Sequence, residues 1–184
     1  NAQFDPLKFN WVGNANIENS TCITWHNAPV KTAQDLFTTE FVNGGTGSES
    51  LEVSIPKVLN RLSGTKIKTV TGYPGSTEIL LALERGEVQG RAGNFFTSLK
   101  SQNPDWLRDR KLHYIFQMTL ERDRSMPDTP TLLEFATTEE ERKVVSMMAI
   151  TELIGRSLFV AGGVSPERVG LLRAALAKLV EDPA

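Results

Sequence analysis

The sequence predicts an α/β protein, and two observations carry that class. Short β-branched or aromatic runs alternate along the chain with stretches of helical apolar spacing. The composition, 40% hydrophobic and 23% charged with a net charge of -2 over 184 residues, is that of a chain with a packed core, not a disordered one.

The elements follow in order. Phe9 to Gly13 and Thr21 to Trp25 read as two strands, the second ending before Pro29, and Lys31 to Phe37 as a short helix with Thr32 at its N-cap. Phe41 to Asn43 is a strand that runs into Gly44-Gly45-Thr46-Gly47-Ser48. Beyond it Leu51, Ile55, Val58, Leu59 and Leu62 form one apolar helical face that stops near Gly64. Pro56 leaves two readings open: a helix kinked at that residue, or one whose regular part begins near Ser54.

Ile67 to Thr71 is a strand by alternation. Gly72-Tyr73-Pro74-Gly75 turns into a helix with Ser76 as N-cap, Glu78 in the first turn, Ile79, Leu80 and Leu83 inward and Gly86 as the stop. Val88 to Asn94 is a third strand of this series, followed by a helix over Phe95 to Ser101, and Leu112 to Met118 is a fourth. Met126-Pro127-Asp128-Thr129-Pro130 is a stiff connector with Pro130 set to start a helix. Thr138 and Glu141 have capping-box spacing for a helix reaching Gly155. Ser157 to Ala161 is a strand, and Ser165-Pro166 opens a last helix with Val169, Leu172, Leu176 and Val180 on one face.

Several function classes are disfavoured by spacing. The basic residues are scattered, and the densest stretches, Arg108-Asp109-Arg110-Lys111 and Arg122 with Arg124, are interrupted by acids, so no nucleic-acid partner is expected. Cys22 is a single cysteine, read as a core residue. With His26 and His113 it lacks zinc-ligand spacing, so neither a metal nor a cofactor is expected. The two histidines read as strand or strand-edge residues. The glycine-rich turn lacks the Lys-Ser/Thr of a P-loop and the spacing of a dinucleotide fingerprint, and there is no Gly-x-Ser-x-Gly elbow. The run Glu139 to Glu141 is the acidic first turn of a helix. No apolar run of about 18 residues and no export signal are visible in the chain as given.

Two strand ends remain, each running into a turn of small donors at a helix start: Gly45-Thr46-Gly47-Ser48 and Tyr73-Pro74-Gly75-Ser76, with Gly93-Asn94 ending a third strand. In an open α/β sheet such turns lie at the carboxyl edge, where backbone N–H groups and hydroxyls at a positive helix end suit a carboxylate or phosphate.

Several segments carry a family resemblance. They are Phe4-Asp5-Pro6, Val30 to Leu36, Thr71 to Ser76, Leu83-Glu84-Arg85-Gly86-Glu87-Val88-Gln89, Met126 to Thr131, and Gly163 to Arg168 with the ending Glu181-Asp182-Pro183. In that order they resemble the Bug-type, TctC-like periplasmic solute-binding receptors of tripartite tricarboxylate transporters.

The resemblance implies a Rossmann-like lobe of a type II, Venus-flytrap periplasmic binding protein. It implies no catalysis, a small carboxylate solute, a membrane permease as partner and a periplasmic location. It assigns residues 1–28 to crossover strands and a remnant of lobe one, 29–130 to the ligand-binding lobe two, and 131–184 to a return towards lobe one. The family's signal peptide and first α/β unit find no match here, so the chain is expected to correspond to the later part of a receptor. By the same resemblance Gly45, Thr46, Gly47, Ser48, Tyr73, Pro74, Gly75, Ser76 and Asn94 contact ligand. Some amino-acid-binding relatives carry an acid just before the position of Asn94. Gly93 stands there instead, which favours a simple carboxylate over an amine-bearing ligand.

Two rivals belong to other classes. One is an interaction module without ligand, self-associating through a lobe face left uncovered. The other is an enzyme on a carboxylated substrate, for which Arg91, Glu49 and Glu78 are the nearby charged candidates; Glu49 and Glu78 read more simply as first-turn acids and Arg91 as an exposed strand residue.

Overall fold

Each strand-helix unit read from the alternating patterns is present in the computed structural model, which describes residues 4–16 and 18–181. The first three residues and Asp182 and Pro183 of the C-terminal motif lie outside the described residues. The chain runs β1 (Asn10–Asn14), β2 (Ser20–Trp25), α1 (Asp35–Thr38), β3 (Phe41–Gly44), α2 (Leu51–Ser63), β4 (Ile67–Val70), α3 (Ser76–Glu84), β5 (Gly90–Phe95), α4 (Phe96–Gln102), α5 (Pro104–Arg108), β6 (Leu112–Gln117), α6 (Glu139–Ile154), β7 (Ser157–Val160) and α7 (Pro166–Glu181). Short 3-10 turns occupy Pro6–Lys8 and Leu132–Phe135.

The chain divides into two units, residues 19–152 and residues 1–18 with 153–184. In this division residues 19–28 and 131–152 belong to the larger unit. Strand β2 is buried at every position and pairs antiparallel with both β5 and β6, so it is a central strand of the larger unit. Val145 of α6 is buried in the same core, which carries that unit beyond residue 130.

The larger unit is a five-stranded mixed sheet in the order β4-β3-β5-β2-β6, with β3 parallel to β4 and β5. Because successive side chains of a strand face opposite ways, Cys22 and Ile23 enter different cores. Cys22 joins Phe41, Ile55, Leu59, Phe116 and Val145 on the side of α2 and α6. Ile23 joins Leu80, Leu83, Leu99 and Trp106 on the side of α3 to α5. Helix α2 ends where Gly64 takes up the left-handed conformation at φ 70°, as expected. Helix α1 is shorter than expected: its first residue, Asp35, accepts through its carboxylate from the amides of Lys31 and Thr32, which holds those two residues outside the helix. Pro130 starts no α-helix. Thr131 and Glu134 form a capping box on a 3-10 turn instead.

The smaller unit pairs β1 antiparallel with β7, and Arg173 of α7 donates to the Trp11 carbonyl from Nε and Nη2 at 3.0 and 2.7 Å. Glu18 is buried and accepts from Arg156 Nε at 2.6 Å. The expected apolar face of α7 is only partly covered: Val169 is buried, while Leu172 and Val180 are 43% and 65% exposed. Leu176, the remaining residue of that face, is half-buried over Gly13 of β1.

Candidate functional site

Strands β3 and β4 end side by side, with Gly44 opposite Val70. Just beyond them the Gly45 amide donates to the Val70 carbonyl at 2.9 Å and the Gly72 amide to the Thr46 carbonyl at 3.1 Å. The turns at Gly45 to Ser48 and Tyr73 to Ser76 therefore share one hydrogen-bonded root. Strand β5 runs parallel to β3, with Asn43 opposite Gly90, so Asn94 reaches the same carboxyl edge.

The expected site residues are not equivalent. The Gly45 N–H is held by the ladder, and Tyr73 is half-buried against the core of Leu80 and Leu83. Gly47, Ser48, Pro74 and Ser76 are exposed, Thr46 and Gly75 half-buried, and Asn94 buried. Gly75, not Ser76, is the N-cap of α3, and no side chain caps it. Ser76 is the first helical residue, and its hydroxyl accepts from Arg91 Nη2 at 2.8 Å.

Arg91 is the larger correction. It is 6% exposed, not a surface strand residue. Its Nη2 also contacts Glu52 Oε1, and its Nη1 donates to Asn94 Oδ1 at 2.9 Å, while Nε is buried without a partner. Glu52, at the start of α2, is itself 6% exposed. Burial pushes its carboxyl upward, but the Arg91 guanidinium and the Ser50 hydroxyl outweigh burial and hold it below the ordinary range. An unmet buried donor costs about 1–3 kcal/mol.

Sequence reading missed Glu52 altogether and misplaced Arg91, because their contact joins residues 39 apart in the chain. One signal was available: Arg91 lies in Gly90-Arg91-Ala92-Gly93, where small neighbours suit a central strand closely approached on both sides.

Gly93 is required by its backbone. Its φ is 74°, and a Cβ there would lie 3.1 Å from Leu51 Cβ. An acid at this position, which the family resemblance raised, is sterically disfavoured in this chain.

Ser76, Arg91 and Asn94 line a small pocket of about 70 Å³ with Ser98, Gln102 and Asn103. Ser48 lines a different one, of 370 Å³, with Lys57 and Asn60. A larger groove of 1410 Å³ runs past Phe96, Trp106, Tyr114 and Arg122 and contains none of the expected site residues. Its Arg122 forks onto Glu134 at 2.8 and 2.6 Å and donates to the Pro127 carbonyl, so that side chain is already engaged by the connector.

Of the remaining candidates, Glu49 and Glu78 are exposed, and a Cβ on Gly75 would lie 3.1 Å from Glu78 Oε2. His113 Nε2 lies 3.2 Å from the His26 carbonyl at the end of β2, so both are strand-edge residues. Cys22 is fully buried, and burial pushes its thiol far up. Among the described residues no three His, Cys, Asp or Glu gather as a metal site, and no helix is long and apolar enough to cross a membrane.

A mixed five-stranded sheet, covered on both faces, with a polar cluster at the carboxyl edge of its parallel strands has the architecture of a periplasmic-binding-protein lobe. Solved structures agree. A TctC solute-binding protein from Polaromonas matches with TM-score 0.65 and 20% identity, over 99% of this chain and 59% of that one. MatC from Rhodopseudomonas palustris, with bound malate, matches with TM-score 0.62 and 21% identity, over 95% of this chain and 56% of that one. The periplasmic binding protein BugD matches with TM-score 0.54 and 15% identity, over 94% and 68%. The chain therefore has the fold of TctC and Bug-type solute-binding proteins, and spans 59% and 56% of the length of the first two. No family model and no curated protein sequence matches the chain.

Proposed function

We propose that the chain is the ligand-binding lobe of a periplasmic solute receptor that holds a carboxylate at the carboxyl edge of β3, β4 and β5 and presents it to a tripartite tricarboxylate permease, without catalysis. The observation that carries this reading is the joined pair of turns at Gly45 to Ser48 and Tyr73 to Ser76, with Asn94 beside them. The first-turn amides of α3 have no helical acceptor and face a developing positive pole. Malate in the R. palustris MatC structure supports the ligand class.

One lobe binds weakly. A helix N-terminus contributes about 0.3–2 kcal/mol and each charged hydrogen bond about 1.5–3. Two or three such contacts, less the cost of association, reach the millimolar range at about -4 kcal/mol.

The test is thermal unfolding of the 184-residue chain with malate, adipate and acetate against sodium chloride at matched ionic strength. A ligand at about 100 times its Kd stabilises by about 2.7 kcal/mol. For a chain of this size that is a rise in Tm of about 5–11 °C. Unfolding temperatures no higher in any carboxylate than in chloride overturn the reading.

A second reading has its own observation. On α6, Val144, Met147 and Ile150 are 38%, 68% and 49% exposed at helical spacing, a face suited to a second copy. A dimer whose population rises with concentration, together with no carboxylate response, would favour it.

A further inference from the structure

The edge of β5 carries a device that the turns alone do not explain. Arginine has hydrogen-bond donors and no acceptor. Whatever touches its guanidinium must accept, and this fixes the sense of every neighbour. Ser76 Oγ takes the Nη2 proton at 2.8 Å, so its own hydroxyl proton is left to point elsewhere. Asn94 Oδ1 takes the Nη1 proton at 2.9 Å, so its amide oxygen is occupied and its Nδ2 is the group that remains; one Nδ2 proton goes to the Phe95 carbonyl at 3.2 Å. Glu52 Oε1 accepts from the same Nη2 that donates to Ser76, and Asn43 in turn donates to the Glu52 carbonyl at 2.7 Å.

Resting on the carboxylate reading above, we infer that Arg91 and Glu52 are positioning residues that set the polarity of the site. They turn Ser76 and Asn94 into donors towards the small pocket, so that it takes one acceptor-only carboxylate group and rejects the isosteric amide. The pocket, about 70 Å³, is large enough to admit one carboxylate group. Ser98, Gln102 and Asn103 on the other wall present either a donor or an acceptor, so discrimination rests with the Arg91 side. The Arg91–Glu52 pair is neutral as a whole, so the preference comes from the direction of hydrogen bonds and not from net charge.

The test compares acetate with acetamide, which have the same shape and differ in charge and in the sense of one hydrogen-bonding group. The charge difference is the same in wild type and in the charge-neutral paired variants, so the change in preference between them reads the hydrogen-bond sense. Each is titrated into the 15N-labelled 184-residue chain at constant ionic strength while the Ser76 backbone amide and the Asn94 side-chain amide signals are followed. In the wild type acetate shifts both saturably, and acetamide binds more weakly by about tenfold, the effect of one mismatched hydrogen bond. The paired variant R91Q/E52Q leaves the net charge unchanged and lets a glutamine amide present either sense. Its preference falls to below about threefold. R91K, still donor-only, keeps the preference at reduced affinity, a rescue that loss of packing would not give.

If R91Q/E52Q does not fold, as judged by loss of signal dispersion, R91M/E52M replaces the pair with apolar side chains of similar volume and carries the same expectation. A folded paired variant that keeps the wild-type preference overturns the inference and leaves the carboxylate reading standing. Equal binding of acetate and acetamide by the wild type does the same. No saturable shift with acetate, malate or adipate in the wild type overturns both.

Discussion

The side-chain amide of Asn43 donates to the Glu52 carbonyl at 2.7 Å, which is the carbonyl that Pro56 leaves without its helical donor. In a regular helix the amide of residue 56 would bond to residue 52. Proline has no N–H, yet α2 runs unbroken from Leu51 to Ser63 with Pro56 inside it. Of the two readings open from the sequence, the start near Ser54 is excluded. The defect that proline introduces is met from β3, because Asn43 also accepts from the Ala92 amide at 2.7 Å and donates to Thr69 Oγ1 at 3.1 Å. One buried side chain thus ties α2 to β3, β4 and β5 beneath the candidate site.

Asn43→Ala is therefore expected to destabilise the chain by about 2–4 kcal/mol, since it leaves the Ala92 amide and the Glu52 carbonyl unmet. Pro56→Ala should restore about 1 kcal/mol in that background by supplying the missing amide, and do less in the wild type. Urea unfolding of the four proteins of this cycle measures the coupling. Additive effects would show that the two residues are not linked through the Glu52 carbonyl.

The Glu52 carboxyl gives a pH dependence of definite sign. Its folded value lies below the ordinary one, so its contribution is complete above about pH 4.3, the unfolded value, and is lost as pH falls through the folded value. Asp35, Asp123, Glu134 and Glu141 are also held low, Glu134 to about 2 by the Arg122 fork, so the whole chain loses stability in acid. Glu52→Gln should remove only its share of that slope below about pH 4.3. Urea midpoints for both proteins at several pH values supply the comparison, and parallel slopes would contradict the assignment. At neutral pH Arg91→Met should cost about 3–5 kcal/mol by leaving the Glu52 charge buried and unpaired.

How much of this was legible depends on whether the signal is local. Helix α2 and the Thr138–Glu141 cap of α6 were readable because 3.6-residue spacing and a four-residue box are short-range patterns. The Thr131–Glu134 box has the same spacing and was readable too, as was Pro104 opening α5 after Asn103, although neither was expected. By contrast, Ser76 has the chemistry of an N-cap, and only the approach of Arg91 from a strand 15 residues on gives its hydroxyl another partner. The turns of the candidate site are legible as small-residue runs at strand ends. The charged pair that underlies them is not, because burial of a lone arginine is decided by a partner that no local pattern specifies.

Gly93→Asp tests whether an acid beside Asn94, suggested by the family resemblance, can be accommodated in this chain. Aspartate would have to adopt φ 74° with its Cβ 3.1 Å from Leu51 Cβ. The cost is about 1–3 kcal/mol from backbone strain, before any repacking of Leu51. The variant is expected to melt several degrees lower and to gain no saturable response to glutamate or aspartate in the acetate titration format. Wild-type stability with new amine-dependent binding would show that the backbone here tolerates the acid and that Gly93 alone sets ligand class.

Glu78 bears on the other end of the site. It occupies the third position of α3, and its Oε2 would lie 3.1 Å from a Cβ built on Gly75, so a carboxylate of the chain already leans over the start of that helix. This stabilises the helix by the dipole interaction, about 0.3–1 kcal/mol, and opposes a second negative group at the same end. Glu78→Gln removes the charge and keeps the shape. Two opposing effects follow: stability falls by about 0.3–1 kcal/mol, while affinity for acetate or malate rises by about two- to fivefold. Affinity and stability that fall together would place the bound carboxylate away from the α3 N-terminus, on the side of the turn at Gly45 to Ser48. Opposite signs would locate it where the Tyr73 to Ser76 turn meets Arg91 and Asn94.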